Sequence, residues 1–495
     1  MKPDTTVAII GTGFSGMGAA IELARQGISD FVLLEKADDI GGTWRDNQYP
    51  GACCDVPSVL YSFSFEPNPN WSRRFSPAKE IHQYQQHVMA KYGLNQRTRT
   101  GFEVATADHN GEHWVLASTG SETLTARFVI SAIGALHLPN TPALPGLGEF
   151  KGKVMHSAEW DSEYDCAGKR IAVVGSAASA VQIVPEIAKE ANHVAVMQRS
   201  ANHIVPRGDR AFSKWAQRMF RFLPFSQRLL RWWQYLYNDF LFHPTFRRGD
   251  SFLKRHVRRM IANHMGSISD PALRARITPA HEVGCKRILL SDDYLPALER
   301  DNVDLVTDPI DHFDKTGLVT DRGDRIDADL VVMATGFQAT KLFGDMVITG
   351  PDTRTIGQVW EGGIQAHRTI ALAGFPDFFM MYGPGSNLGH SSIIIMIEAQ
   401  AQLVARLIRE AGQRGTSVEP LETAQRVWNQ NLQSDLKDRV WATDCDSWYK
   451  DTEGRIFSLW PHSTTRFIRE MRNTPFAEFS FRERGEQVDP PSLPF

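Results

Sequence analysis

The sequence predicts an α/β fold: two units of parallel strands alternating with helices, the second carrying a helical insertion. Three observations predict it. The first is Thr6-Val7-Ala8-Ile9-Ile10, an apolar β-branched run of the kind that forms a strand covered on both faces. It leads into Gly11-Thr12-Gly13-Phe14-Ser15-Gly16, then helical spacing from Met17 to Arg25, then Phe31-Val32-Leu33-Leu34 ending at Glu35. The second is a repeat of that order: Arg170 to Val174, the turn Gly175-Ser176-Ala177-Ala178-Ser179-Ala180, a helical stretch to Ala191, and a strand from His193 to Met197 ending near Arg199. Gly11 to Glu35 spans 24 residues, and so does Gly175 to Arg199. The third is a pair of short apolar strands ending in small-residue turns, 127–134 and 329–336, one on each side of the second unit.

Each unit reads as a Rossmann-like dinucleotide-binding domain, the first interrupted by the second. The expected division is 1–145 and 329–495 for the first domain, 146–210 and 266–328 for the second, and 211–265 for the helical insertion. In the first unit Gly11 permits the tight turn, Gly13 lets a pyrophosphate approach the backbone, and Gly16 lets helix and strand pack closely. The helix N-terminus offers unpaired N–H groups to the phosphates. Glu35 is placed to accept hydrogen bonds from ribose hydroxyls. In the second unit Ala177 replaces the middle glycine, which should move a pyrophosphate slightly outward, and Ala180 stands for the third. Arg199 takes the place of the acid, and a guanidinium there suits a 2′-phosphate, so this site is expected to take NADPH. Two such units in one chain point to a flavin, FAD, that receives electrons from the nicotinamide.

Composition narrows the class. The 495 residues are 42% hydrophobic and 22% charged, with a net charge of −3 and a pI near 6.6, which argues against nucleic acid as partner. The five cysteines form no C-x-x-C, so a zinc ribbon is not expected, no metal site is assigned, and the thiols read as free. Cys53 and Cys54 are adjacent and not spaced, which disfavours a dithiol mechanism. The opening Met1-Lys2-Pro3-Asp4 leads straight to a strand without signal-peptide character, and apolar runs such as Ser392 to Ile397 are far shorter than the roughly 20 residues a bilayer requires. A cytoplasmic location is expected.

Between the two units stands Phe150-Lys151-Gly152-Lys153-Val154-Met155-His156-Ser157-Ala158-Glu159-Trp160-Asp161. It resembles the F-x-G-x-x-x-H-x-x-x-W-[PD] fingerprint of type I Baeyer–Villiger monooxygenases, within the flavin-containing monooxygenase superfamily. Other ordered segments carry the resemblance too: Gly41-Gly42-Thr43-Trp44, Tyr49-Pro50-Gly51-Ala52, Cys54-Asp55-Val56-Pro57-Ser58, Cys285-Lys286-Arg287 and Ala334-Thr335-Gly336-Phe337. The resemblance implies an enzyme that uses FAD, NADPH and O2 to convert ketones to esters or lactones through a C4a-peroxyflavin. Arg287 matches the active-site arginine beside the flavin and Asp55 the acid paired with it. Arg199, Ser200 and Lys286 match residues at the 2′-phosphate, and Trp44 one close to the flavin. Phe150, Gly152, His156, Trp160 and Asp161 match fingerprint residues, of which His156 and Trp160 lie near the domain linker and are implied to influence movement more than chemistry. Oxygenation of amines or sulfides, and an NADPH–flavin reductase or oxidase without ketone chemistry, stand as alternatives.

One window is unlike the rest. Residues 211–260 hold eleven Lys and Arg against two acids, a local charge of +9, and thirteen of the fifty aromatic residues. The spacing of Phe222, Phe225, Leu229, Trp232, Trp233 and Leu236 predicts an amphipathic helix with Pro224 near its start. The leading expectation is an inserted helical subdomain that packs on the nucleotide domain. A substrate-channel wall or dimer face ranks second, and contact with a membrane surface last.

Overall fold

Parallel pairing of the two repeats organises the chain, which a computed structural model describes over residues 2–443, 447–451 and 453–485. β1 (Thr5–Ile10) lies between β2 (Phe31–Leu34) and β6 (Thr123–Ser131), parallel to both, with Ile9 opposite Leu33 and Ile130. The sheet continues past β2 to β3 (Thr98–Arg99). Past β6 it continues through antiparallel β5 (Trp114–Ser118) and β4 (Val104–His109) to β17 (Val347–Thr349), while β18 (Phe378–Met380) adds to β6. β1 is apolar throughout because both faces are covered. Val7 and Ile9 pack with α1 (Phe14–Arg25) and the long helix Ile393–Arg414; Ala8 and Ile10 pack with Trp114 and Phe378.

The second sheet has five strands, all parallel, in the order β12 (Val303–Val306), β9 (His193–Met197), β8 (Arg170–Val174), β16 (Leu330–Met333), β7 (Lys153–His156). Ile171 and Val173 face one core together with α4 (Ala180–Ile187), and Ala172 and Val174 face another with Met197 and Phe313. The expected boundary at 328/329 is displaced, because β16 belongs to this second sheet. The reason is the repeat itself: β16 stands to β8 as β6 stands to β1. Each of these strands ends against the glycine turn of its neighbour. A Cβ at Gly11 would lie 2.7 Å from the Ala132 carbonyl oxygen, and one at Gly175 2.4 Å from that of Ala334. Both glycines have φ near +110° (+106° and +117°), where side chains are strained. The two chain crossings then run antiparallel, the Asn140 N–H donating to the Gly336 carbonyl at 2.9 Å and the Gln338 N–H to that of Leu138 at 3.0 Å.

The insertion forms α5 (Lys214–Phe222), α6 (Pro224–Leu236), a π-helical turn (Tyr237–Phe242) and α7 (Phe252–Met265). Helix α7 buries Val257, Ile261 and Met265 in the second core, as expected of the segment. Helix α6 also packs on a nucleotide domain, but with its polar side, the reverse of an ordinary amphipathic surface helix. Gln227, Arg231, Gln234 and Asn238 point inward, while Phe225, Trp232 and Trp233 stay 64%, 58% and 56% exposed. The surface beneath α6 offers backbone carbonyls, which polar side chains satisfy and apolar ones cannot. Arg231 donates to the carbonyls of Val59, Leu60 and Ser62, and Gln227 to that of Asn68.

Candidate active site

The C-terminal ends of β1 and β8 open into one cavity of about 1340 Å³ walled by both domains. At Gly13 a Cβ would meet nothing within 4 Å, and the N-terminus of α1 has no side-chain cap, so its first N–H groups face space suited to a pyrophosphate. Glu35 is buried at the end of β2. Its Oε2 accepts from Thr12 N at 3.2 Å and Thr12 Oγ1 at 2.5 Å, and its Oε1 from Arg45 Nη1 at 2.9 Å. Gly42 precedes the short helix α2 (Thr43–Asp46), and Thr43 and Trp44 line the wall, with Trp44 Nε1 donating to the Tyr61 hydroxyl at 3.0 Å. Gly16 is absent from the wall because its missing side chain makes room for the Gly11 carbonyl, a packing role.

The second cradle holds Gly175, Ser176 and Ala177, whereas Ala180 is buried in helix packing. Beside it, Lys286 Nζ donates to Ser200 Oγ at 3.2 Å, Ser176 Oγ donates to the Ser200 carbonyl at 3.2 Å, and Arg199 shares the wall. Two cations and a hydroxyl meeting at the end of β9 fit a phosphate on the ribose. The residues present therefore suit both dinucleotides, with Gln85 as a further sign. This buried residue of the helix Ala78–Lys91 borders the cavity beside Gly41, and neither its amide nitrogen nor its oxygen has a partner within the protein.

Between the cradles the structure joins Arg287 and Asp55, 232 residues apart. Nε and Nη2 of Arg287 both donate to Asp55 Oδ2, at 2.8 and 2.6 Å. The Asp55 carboxylate beside it holds the guanidinium's pKa above its ordinary value, against the opposing effect of burial. Sequence reasoning missed three neighbours. Tyr449 has its hydroxyl interacting with Arg287, and Tyr382 donates to Asn387 Oδ1 at 2.8 Å. Asn387 Nδ2 is buried and unpaired on the wall. Burial pushes both tyrosine hydroxyls up, so they remain protonated. Tyr382 sits at φ +59°, a rare conformation for a side-chain-bearing residue and the one local signal at this corner, invisible without coordinates.

None of the fingerprint residues touches the cavity. Gly152 leaves room for the Phe150 ring and the Asp329 carbonyl. His156 is buried; its Nε2 pairs with the Gly336 carbonyl at 3.0 Å, and its Nδ1 accepts from Ala158 N at 3.1 Å. Trp160 packs against the second core, and Asp161 accepts from Lys153 Nζ at 3.2 Å. Ala334 closes the Gly175 turn, Thr335 Oγ1 donates to the Asn140 carbonyl, and Gly336 receives His156. Cys53 and Cys54 are free, with thiol pKa values raised by burial, which leaves them poor redox groups. Cys285 is disulfide-bonded, so the reading of all thiols as free fails at that position.

Residues 8–217 match the family model described as pyridine nucleotide-disulphide oxidoreductase. A Baeyer-Villiger monooxygenase of Streptomyces coelicolor is 43% identical over 483 residues, covering 96% of this chain and 92% of its own. A Pseudomonas aeruginosa protein of the same name is 39% identical over 472 residues, covering 93% and 88%. Among solved structures, oxidized steroid monooxygenase bound to NADP superposes with a TM-score of 0.87 at 28% identity, over 97% of this chain and 99% of that one. Cyclohexanone monooxygenase from Rhodococcus sp. Phi1 bound to NADP+ gives 0.86 at 25%, with the same coverage. Identity at this level across nearly the full length of both partners shows that the chain belongs to the Baeyer–Villiger monooxygenases.

Proposed function

We propose that this enzyme converts a ketone, O2, NADPH and a proton into an ester or lactone, NADP+ and water, with Arg287 as the catalytic cation. The Gly11–Gly16 turn would hold FAD and the Gly175–Ala180 turn NADPH, and the flavin would supply the activation of O2. The protein's part is electrostatic. The observation that carries the reading is the Arg287–Asp55 pair, a cation fixed by a carboxylate at the meeting point of the two cradles. Two bonds to a single carboxylate oxygen fix the plane of the guanidinium, and a guanidinium keeps its charge at any working pH. Such a charge favours an anionic oxygen nucleophile over its protonated form and offsets negative charge that develops on the ketone oxygen during attack. Asp55 is a positioning residue, acting through Arg287. Asn387 Nδ2, unpaired on the same wall, is a donor free to orient the carbonyl, with Tyr382 holding the other end of that amide.

Anaerobic mixing with NADPH, followed by oxygen and a ketone, tests this. Arg287→Ala should keep flavin bleaching by NADPH and lose ester formation, and Arg287→Lys should restore little because it lacks the fork. Ester formation at the wild-type rate in Arg287→Ala would falsify the assignment. Oxygenation of amines or sulfides in preference to ketones would overturn the substrate class.

A further inference from the structure

We propose that the outward face of α5, α6 and the π-helical turn docks this protein onto an anionic membrane surface. The argument begins with the inverted helix. A surface helix of a globular protein normally turns its apolar stripe to the core. Here Phe225, Leu229, Trp232, Trp233 and Phe240 form a stripe at helical spacing that faces outward. Of the eighteen large hydrophobic side chains exposed among the described residues, eleven lie between Trp215 and Phe252. Contiguous apolar surface of this kind marks an interaction site. The inward side is fully committed. Arg231 and Gln227 hold carbonyls of the first domain, and Asp239 accepts from the N–H groups of Thr464 and Thr465 at 2.6 and 3.1 Å. The helix cannot roll its apolar face inward without breaking these bonds.

Charge chooses the occupant. Lys214, Arg218, Arg221 and Arg228 are exposed on the same two helices, and neither helix contains an acid. A two-fold pairing with a second copy would set these cations against themselves with no carboxylate on either helix to offset them. A leaflet of anionic lipid instead offers phosphates to the cations and an interface in which tryptophan rings settle. No helix among the described residues is long and apolar enough to cross a membrane, so the contact is peripheral. Helix α6 rests on residues 59–62, and Tyr61 among them lines the cavity, which puts the docked face one chain segment from the active site.

The test uses the full-length FAD-loaded enzyme and co-sedimentation with vesicles of phosphatidylcholine, with or without phosphatidylglycerol. The wild type should pellet with the anionic vesicles, poorly with the neutral ones, and less as salt is added. Trp232→Ser with Trp233→Ser, and separately Arg218→Gln with Arg228→Gln, should each weaken binding by about tenfold or more. Unchanged FAD content and thermal midpoint show that the variants are folded. Wild-type protein that stays in the supernatant with anionic vesicles at low salt overturns the proposal. So does a dimer in light scattering that the tryptophan variant converts to monomer without any vesicle binding, since that result assigns the face to a second copy.

Discussion

Asp55 does its work through geometry, and its loss should be read in the coupling of the reaction. Both of its bonds to Arg287 converge on Oδ2, so Asp55→Ala removes the carboxylate that anchors the guanidinium plane. A reacting group displaced by about 1 Å can lose roughly 10²-fold in rate. Asp55→Ala should therefore lower ester formation by about that factor while NADPH affinity stays near wild type, and ester formed per NADPH oxidised should fall. Coupling equal to wild type would show that Asp55 positions nothing. The phosphate site makes a second test at this scale. Arg199→Ala and Lys286→Ala each remove one charged partner, and hydrogen bonds to charged groups are worth about 1.5–3 kcal/mol. The KM for NADPH should rise about 10- to 100-fold and that for NADH hardly at all, and an equal rise for both coenzymes would refute a 2′-phosphate site. Lys286, Arg287 and Asp55 were legible because each sits in a short ordered motif, and Arg199 because it ends the repeated βαβ spacing. Tyr382, Asn387 and Tyr449 were not: the first two reach the wall, and the third reaches Arg287, from loops with no spacing rule.

Elements were read well where a pattern has one physical solution. A glycine turn between two apolar strands has one, and the repeated spacing placed both βαβ units. The pair Gly11 and Gly175 now gives matched predictions, since a Cβ at either collides with the carbonyl of the adjoining strand. Gly11→Ala should yield protein with little FAD. Gly175→Ala should hold FAD yet be reduced slowly by NADPH, and FAD loss in both variants alike would mean the two cradles are not separable. Helix α6 has two solutions, because 3.6-residue spacing fixes a stripe but not which stripe faces in. The carbonyls of residues 59, 60, 62 and 68 decided it, and no local pattern announces them. The end of the insertion also carries a pH dependence. His243, buried and donating to the Pro461 carbonyl, is pushed down to about 3, by burial first and the nearby His390 second. Its folded pKa is depressed, so below the unfolded value of about 6.5 the unfolded chain takes up a proton that the native chain refuses. Stability from this group is whole above that pH and falls by about 1.4 kcal/mol per unit between there and its folded pKa. The thermal midpoint should drop between pH 7 and 4, less steeply in His243→Asn, and equal slopes would discharge His243 from that role.

At the scale of the whole molecule, the two domains are joined by a double crossing, and His156 is the clasp. The boundary expected at 328/329 fell too early because a strand that resembles β6 was assigned to the sheet of β6, when resemblance in a repeat means the equivalent place in the other sheet. Once β16 is in the second sheet, residues 138–140 and 336–338 become antiparallel partners, and the Gly336 carbonyl receives both Asn140 N–H and His156. Burial lowers the pKa of His156, so the ring is neutral, its Nε2–H donating to Gly336 while Nδ1 accepts from Ala158. It lies outside the cavity and can influence the reaction only through how the nicotinamide domain is presented to the flavin domain. His156→Ala leaves the Gly336 carbonyl one partner short and loosens the crossing, a change of the kind that alters domain motion more than binding. The expected result is full FAD content and coenzyme affinity near wild type, with flavin reduction at saturating NADPH slowed by about tenfold. His156→Gln, whose amide can still donate to Gly336, should recover part of that rate. If the alanine variant instead weakens NADPH binding while reduction at saturation stays fast, His156 serves the coenzyme site and the clasp is not what the fingerprint preserves.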